Sequence, residues 1–198
     1  ENGTLDLIYK VVGLGTEAMS RYAPGTELDL LTGLGNGFDV DRLDEVTASQ
    51  FPLLIGGGVG TPPMYGLCKK LLAKCKKPRV ILGFNTAAEV FWKQEFEELD
   101  VPVTVTTVDG TLGVRGLVTD AMVPLEGKYD YVYACGPEPM LRAVHAVCEK
   151  QEIHGQFSFE ERMACGFGVC MGCSCKTRYG SKRICKDGPV LRREEILW

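Results

Sequence analysis

Histidine and surplus basic charge are what this chain has least of. Only two histidines stand in 198 residues, and 22 lysines and arginines are outnumbered by 26 aspartates and glutamates, for a formal charge of −4. Without a basic field there is no electrostatic footprint for nucleic acid, and no such partner is expected. His145 falls inside a helical stretch and His154 just after it; neither has a partner for a catalytic dyad, so packing or surface roles are expected. No apolar run is long enough to span a membrane and no secretory leader is recognisable, so no membrane association is expected. Internal repeats and low-complexity segments are also missing. The first residue is Glu1, not methionine, which suggests a piece of a longer polypeptide.

Cysteine, by contrast, is plentiful. Nine is an odd number, and four of them crowd between Cys165 and Cys175, too close to staple separate parts of a fold into a disulfide framework. A reducing cytoplasm is therefore the expected setting. Cys165, Cys170, Cys173 and Cys185 follow a Cys-x4-Cys-x2-Cys-x11-Cys spacing, the plant-type arrangement in which one tight loop supplies three thiolates and a distant cysteine closes a [2Fe-2S] site. Gly166, Gly168 and Gly172 let that loop bend sharply and turn N–H groups toward sulfur. Cys175 is a spare that a shifted register would exchange for Cys173. A structural zinc site also takes four thiolates but usually presents two Cys-x2-4-Cys knuckles, of which one is clean here. Cys68, Cys75 and Cys148 read as structural.

A hydrophobic content of 45% supports real cores in one large or two modest domains. Leu5 to Val12 and Glu27 to Leu31 read as strands, the tail of a β-barrel occupying 1–49. From Phe51 short apolar runs alternate with helical stretches: PLLIGG, then Tyr65 to Lys76; RVILGF, then Ala87 to Leu99; VTVTTV, then Leu117 to Val123; YVYACG, then Met140 to Gln151. Strands apolar on both faces, separated by helices, predict a doubly wound parallel sheet over 50–154. Residues 155–198 then form a separate cysteine module. Lys69, Lys70, Lys74, Lys76 and Lys77 read as a solvated helix face.

Two turns of that sheet could meet a ligand. GGGVGTPPM places Gly56, Gly57, Gly58, Gly60 and Thr61 where a buried strand turns into a helix, a position in which backbone N–H groups and the helix dipole favour a pyrophosphate. It is not the usual G-x-G-x-x-G fingerprint, because no acidic residue clearly follows at the ribose position. CGPEPML puts Cys135, Gly136 and Pro137 at the carboxyl end of the last core strand, facing the same crevice. Either turn alone could be simple strand-to-helix punctuation; both in one domain favour a shared ligand.

GGGVGTPPM, CGPEPML, ERMACGFGVCMGCSCKT and RICKDGPV together resemble the ferredoxin-NADP reductase superfamily, and more closely the iron-sulfur, flavin-containing electron-transfer subunits of NAD-dependent (type B) dihydroorotate dehydrogenases. The resemblance runs from Leu5 to the C-terminus. It implies an α/β plus β, ferredoxin reductase-like fold: a partial flavin-binding β-barrel, an NAD domain and a C-terminal [2Fe-2S] module. In LIYKVVGLGT it implies that Ile8, Tyr9 and Lys10 contact FAD and that Gly15 and Thr16 reach its pyrophosphate; the family's Arg-Pro-x-Ser motif does not occur in these residues. It sets NAD(H) between Gly56 to Thr61 and Cys135 to Pro137, with Cys135 near the nicotinamide, Gly83 to Asn85 by the adenosine ribose, and Asp109 to Asp120 bordering the nicotinamide. No arginine follows Asn85 to hold a 2′-phosphate, which favours NAD over NADP. The implied partner is an FMN-containing catalytic subunit in a hetero-oligomer. A flavin subunit of a bifurcating ferredoxin-NADP oxidoreductase or of a hydrogenase shares this plan, and a zinc-stabilised nucleotide-sensing module is the alternative from another class.

Overall fold

The computed structural model describes residues 3–47 and 50–198, in two compact units, 1–33 and 34–198. In the first unit a short helix, α1 (Leu14–Met19), follows an extended segment. The strands expected at Leu5 to Val12 and Glu27 to Leu31 do not form. Both segments are open to solvent, and Leu5, Leu7, Val11, Val12, Leu28, Leu30 and Leu31 are all exposed. The reason is physical: β structure is made by ladder partners and a covered face, and among the described residues neither segment has a ladder partner.

The second unit opens with α2 (Asp41–Val46) and continues β1 (Leu53–Gly57), α3 (Thr61–Ala73), β2 (Arg79–Phe84), α4 (Lys93–Glu97), β3 (Val103–Thr107), β4 (Val114–Arg115), α5 (Val118–Met122), β5 (Tyr131–Cys135), α6 (Glu138–Lys150) and β6 (His154–Ser158). A two-stranded hairpin, β7 (Ser174–Thr177) and β8 (Gly180–Arg183), leads into α7 (Ile184–Asp187) and β9 (Val190–Arg192). The main sheet runs β4-β3-β2-β1-β5-β6-β9. All of its pairings are parallel except β6 with β9.

Burial on both faces explains the unbroken apolar strands. Leu53, Ile55, Val132 and Ala134 pack with Leu141, Val144 and Cys148 of α6, while Leu54, Leu82, Tyr131 and Tyr133 pack with Met64, Leu67 and Leu71 of α3. Full burial of each such leucine or isoleucine contributes about 1.5–3 kcal/mol. Prolines sit in the first turns of α3 and α6, where a missing N–H costs nothing.

Packing overrides the sequence pattern at one helix. The helix expected over 87–99 is split into a 3-10 turn, Ala87–Glu89, and the short α4. Between them Trp92 is left-handed at φ 60°, held where its ring meets Tyr65 and Phe91 edge-on. The lysine face is corrected too: Lys76 is buried and ion-paired with Asp44 of α2, as Lys74 is with Asp41. Cys68 and Cys148 are core residues whose thiols burial pushes up to about 11 and 12. Cys75 is exposed, at the left-handed turn that ends α3, and is no core residue.

The segment before α2 is fastened to the sheet's far edge. The Asn36 side chain exchanges two 2.9 Å hydrogen bonds with the Val190 backbone, and its own N–H donates to the Gly188 carbonyl. Three residues on, the Gln156 amide accepts from the Asp39 N–H at 2.8 Å and donates to the Asp39 carbonyl and the Tyr131 hydroxyl. The cysteine module is thus anchored at both ends, since it leaves the sheet from β6 and returns as β9 beside it.

Candidate active site

Four of the nine cysteines are arranged in two pairs of contrasting exposure. Cys173 and Cys185 are buried at 2% and 5% exposure, their sulfurs 3.2 Å apart. The Cys185 N–H donates to Cys173 Sγ at 3.4 Å, and the Ile184 N–H donates to the Cys173 carbonyl, so the start of α7 is stitched to the end of the loop. Cys165 and Cys170 lie outward, Cys170 exposed and Cys165 half-buried. Cys165 Sγ accepts N–H bonds from Val169 and Cys170 at 3.4 and 3.5 Å, and Cys170 Sγ accepts one from Gly172. Backbone donors, that of Cys170 foremost, bring the Cys165 thiol down to about 6, which favours the thiolate that a metal needs. Left-handed Gly166 and Gly168, at φ 75° and 87°, make the loop tight enough to present those donors.

This donor set fits a [2Fe-2S] group, in which each iron takes two thiolates. Among the described residues no three His, Cys, Asp or Glu side chains converge as on a single ion. Cys175, on β7, stands apart; it is half-buried, and burial pushes its thiol up. Met163, Phe167, Val169 and Met171, which flank the outward pair in the sequence, are each more than half exposed.

The two turns of the sheet meet. Gly56 and Cys135 are direct partners in the β1–β5 register, on either side of which the chain runs in opposite directions across the sheet. A Cβ on Gly60 would fall inside the Cys135 carbonyl; one on Gly57 would meet Met140 Sδ at 2.5 Å and Pro137 Cδ at 3.1 Å. Gly136, at φ 159°, lies equally close to Gly57. Gly58 faces open space at φ 51°, and the Thr61 hydroxyl is buried without a partner. An orphaned hydroxyl where two closely packed glycine turns meet at the carboxyl ends of the strands fits a polar ligand such as a dinucleotide. Cys135 is buried, and burial pushes its thiol up to about 11.

One site residue escapes the sequence pattern. The 3-10 turn brings Glu89 back over the end of β2, where its carboxylate accepts from the Asn85 backbone N–H at 3.2 Å and from the Asn85 side chain at 2.9 Å. Asp109 to Asp120 meets this same turn, the Ala87 N–H donating to Thr111 Oγ1 at 2.8 Å, on the far side of β2 from Cys135. His145 is buried in α6 at 3.2 Å from the Arg193 carbonyl, a packing role.

In the first unit Ile8, Tyr9 and Lys10 lie outside any helix or strand and are exposed, and Gly15 and Thr16 lie in the first turn of α1. Thr16 Oγ1 accepts from the Val12 and Gly13 N–H groups at 3.0 and 3.2 Å, closing that turn. Ile8 and Tyr9 leave apolar surface uncovered.

A doubly wound sheet with a ligand crevice at its switch point, followed by a paired-cysteine module, defines an NAD-linked oxidoreductase with a metal-cluster module. Comparison with known proteins agrees. Residues 54–146 match the oxidoreductase NAD-binding domain, and residues 160–197 match the iron-sulfur cluster binding domain of dihydroorotate dehydrogenase B. The electron transfer subunit of dihydroorotate dehydrogenase B (NAD(+)) from Fusobacterium nucleatum is 42% identical over 197 residues, covering 96% of this chain and 73% of that one. Its counterpart from Geobacillus sp. is 40% identical over 194 residues, with the same coverages. A solved NADH-dependent reduced ferredoxin-NADP oxidoreductase matches with a TM-score of 0.83 at 31% identity, over 96% of this chain and 67% of that one. The chain belongs to the family of dihydroorotate dehydrogenase B electron transfer subunits, and its fold is ferredoxin reductase-like. Among the described residues no helix is long and apolar enough to cross a membrane.

Proposed function

We propose that this chain passes electrons from an FMN-containing dihydroorotate dehydrogenase catalytic subunit to NAD+, with a [2Fe-2S] cluster and FAD as its carriers, in the cytoplasm and in pyrimidine biosynthesis. The observation that carries the reading is the arrangement of the cysteines in an inward and an outward pair beside an NAD-type crevice. Oxidation of dihydroorotate to orotate releases two electrons and two protons; NAD+ takes both electrons and one proton as hydride. When bound, the cluster and FAD supply the one-electron and two-electron chemistry that joins these half-reactions.

The residues have distinct tasks. Cys165, Cys170, Cys173 and Cys185 hold the cluster, and the backbone donors of Val169, Cys170 and Gly172 stabilise sulfur charge. The outward pair and the apolar residues around it form the face that docks the catalytic subunit, shutting water from the transfer path. Gly56, Gly57, Gly58, Gly60 and Thr61 receive the NAD pyrophosphate, and Cys135, Gly136 and Pro137 line the nicotinamide position. Glu89 accepts from the adenosine ribose hydroxyls and repels a 2′-phosphate. Ile8, Tyr9, Lys10, Gly15 and Thr16 belong to the flavin side, so that 1–49, 50–154 and 155–198 serve flavin, NAD and cluster in turn.

Co-purification with a catalytic partner tests the reading. A partner that carries FMN and oxidises dihydroorotate, in a complex containing iron, sulfide and FAD, is the expected result. A partner that bifurcates electrons to ferredoxin would assign the chain to the related oxidoreductases instead, and a colourless zinc protein would overturn both.

A further inference from the structure

Arg183 precedes α7, the short helix that carries Cys185, and its guanidinium faces two ways. Nη1 donates to the Gly168 carbonyl at 2.8 Å, in the middle of the loop between Cys165 and Cys170. Nε and Nη2 donate to the Asp187 carboxylate at 3.0 and 3.2 Å, and the Arg183 backbone N–H donates to the same carboxylate at 2.9 Å. Gly168 also lies against the Lys186 stem, where an added Cβ would come within 2.6 Å of Cδ. One side chain therefore ties the loop of the outward cysteine pair to the helix of the inward pair. A lysine could reach either acceptor but lacks the rigid fork that holds both.

We propose that Arg183 and Asp187 form a latch that positions the two cysteine pairs and balances charge beside them, setting both the lability and the reduction potential of the cluster. The inference rests on the cluster reading given above. Asp187 is only two residues beyond Cys185, and both latch side chains are about two-thirds buried, so their opposite charges are only partly screened. Reduction adds one electron to the cluster. A cation nearby favours that step and an anion opposes it, and as an intact pair the two effects largely cancel. Removing one partner exposes the other: Arg183→Gln leaves the carboxylate with only the neighbouring Lys186 near it, and Asp187→Asn leaves the guanidinium without its carboxylate. One unit charge acting over several ångströms through a mixed dielectric shifts the reduction equilibrium about fivefold, or about 40 mV at 59 mV per tenfold for one electron.

The test compares wild type, Arg183→Gln, Arg183→Lys and Asp187→Asn as complexes with the catalytic subunit, by redox titration of the cluster's electron paramagnetic resonance signal and by the rate of bleaching with an iron chelator. All three variants should bleach at least threefold faster. The potential should fall in Arg183→Gln, rise in Asp187→Asn and stay near wild type in Arg183→Lys. A merely structural role would loosen the cluster without this opposition of sign. Unchanged bleaching, or potentials that move the same way in Arg183→Gln and Asp187→Asn, would overturn the latch. If Arg183→Gln loads no cluster, the rise in Asp187→Asn against an unmoved Arg183→Lys decides the matter. A wild-type complex without any cluster would overturn the underlying reading and the latch with it.

Discussion

Replacing Gly60 with alanine should damage the NAD crevice while leaving the cluster intact. The new methyl would fall inside the Cys135 carbonyl oxygen, with the Cys135 carbonyl carbon at 2.5 Å and the Gly136 nitrogen at 2.8 Å. All three are backbone atoms, so no rotamer can relieve the overlap and the two turns must separate by roughly 1 Å to restore ordinary contact. Overpacking of this kind costs about 1–3 kcal/mol, and a clash with backbone alone belongs at the upper end. For a unit of this size about 3 kcal/mol lowers the melting temperature by roughly 6–12 °C. A 1 Å displacement at the nicotinamide position should slow NADH oxidation by an artificial acceptor by up to about 100-fold. Gly66→Ala is the control of opposite sign. Gly66 lies exposed inside α3 with nothing near its missing Cβ, so alanine should stabilise by about 0.5–1 kcal/mol. Thermal melts by circular dichroism and NADH kinetics read both effects, with the cluster absorbance as internal reference. A Gly60→Ala protein that melts and oxidises NADH like wild type would refute the packing of the two turns.

Serine at Cys165, Cys170, Cys173 or Cys185 should abolish the visible cluster spectrum, whereas Cys175→Ser should keep full iron and sulfide; loss of the cluster in Cys175→Ser would show that the pairing is misassigned. Glu89→Ala should raise KM for NADH about tenfold or more, the size of a lost charged hydrogen bond, and narrow the discrimination against NADPH; unchanged kinetics with both nucleotides would remove Glu89 from the site. Glu195 is buried, which pushes its carboxyl up, but hydrogen bonds from Arg192 and Lys182 outweigh this and hold it at about 2. Because the folded value is depressed, its stabilisation is complete above about pH 4.5 and drains away as pH falls toward 2. Acid unfolding of the cluster-free chain, followed by tryptophan fluorescence, should therefore be less steep in that window for Glu195→Gln, and identical slopes would contradict the assignment.

The sequence made the second unit legible because its signals were local. Leu53 to Ile55 and Tyr131 to Ala134 are unbroken apolar runs fully buried in the sheet, and the cysteine spacing marks the loop that the structure folds into two pairs. What stayed hidden depended on distant contacts. Glu89 folds back onto Asn85 in a 3-10 turn, and Trp92 just beyond it is left-handed among aromatic rings, a break in the helix that no periodicity encodes. Lys76 looked solvated until α2 supplied Asp44. Leu5 to Val12 has strand-like composition, but composition cannot supply a ladder partner. Asn36 and Arg183 look like ordinary loop and strand residues; their roles follow from acceptors at Val190 and Gly168, far along the chain or across the hairpin.

The central claim is that the four-cysteine module couples the catalytic partner to the NAD crevice. Mixing dihydroorotate and NAD+ with the purified complex, in wild-type and Cys185→Ser forms, tests it most directly through NADH absorbance and the cluster's paramagnetic signal. The wild-type complex should form NADH and show a reduced [2Fe-2S] signal. The Cys185→Ser complex should lose both, yet still oxidise NADH with an artificial acceptor at the crevice. NADH formation from dihydroorotate at the wild-type rate in Cys185→Ser would contradict the account.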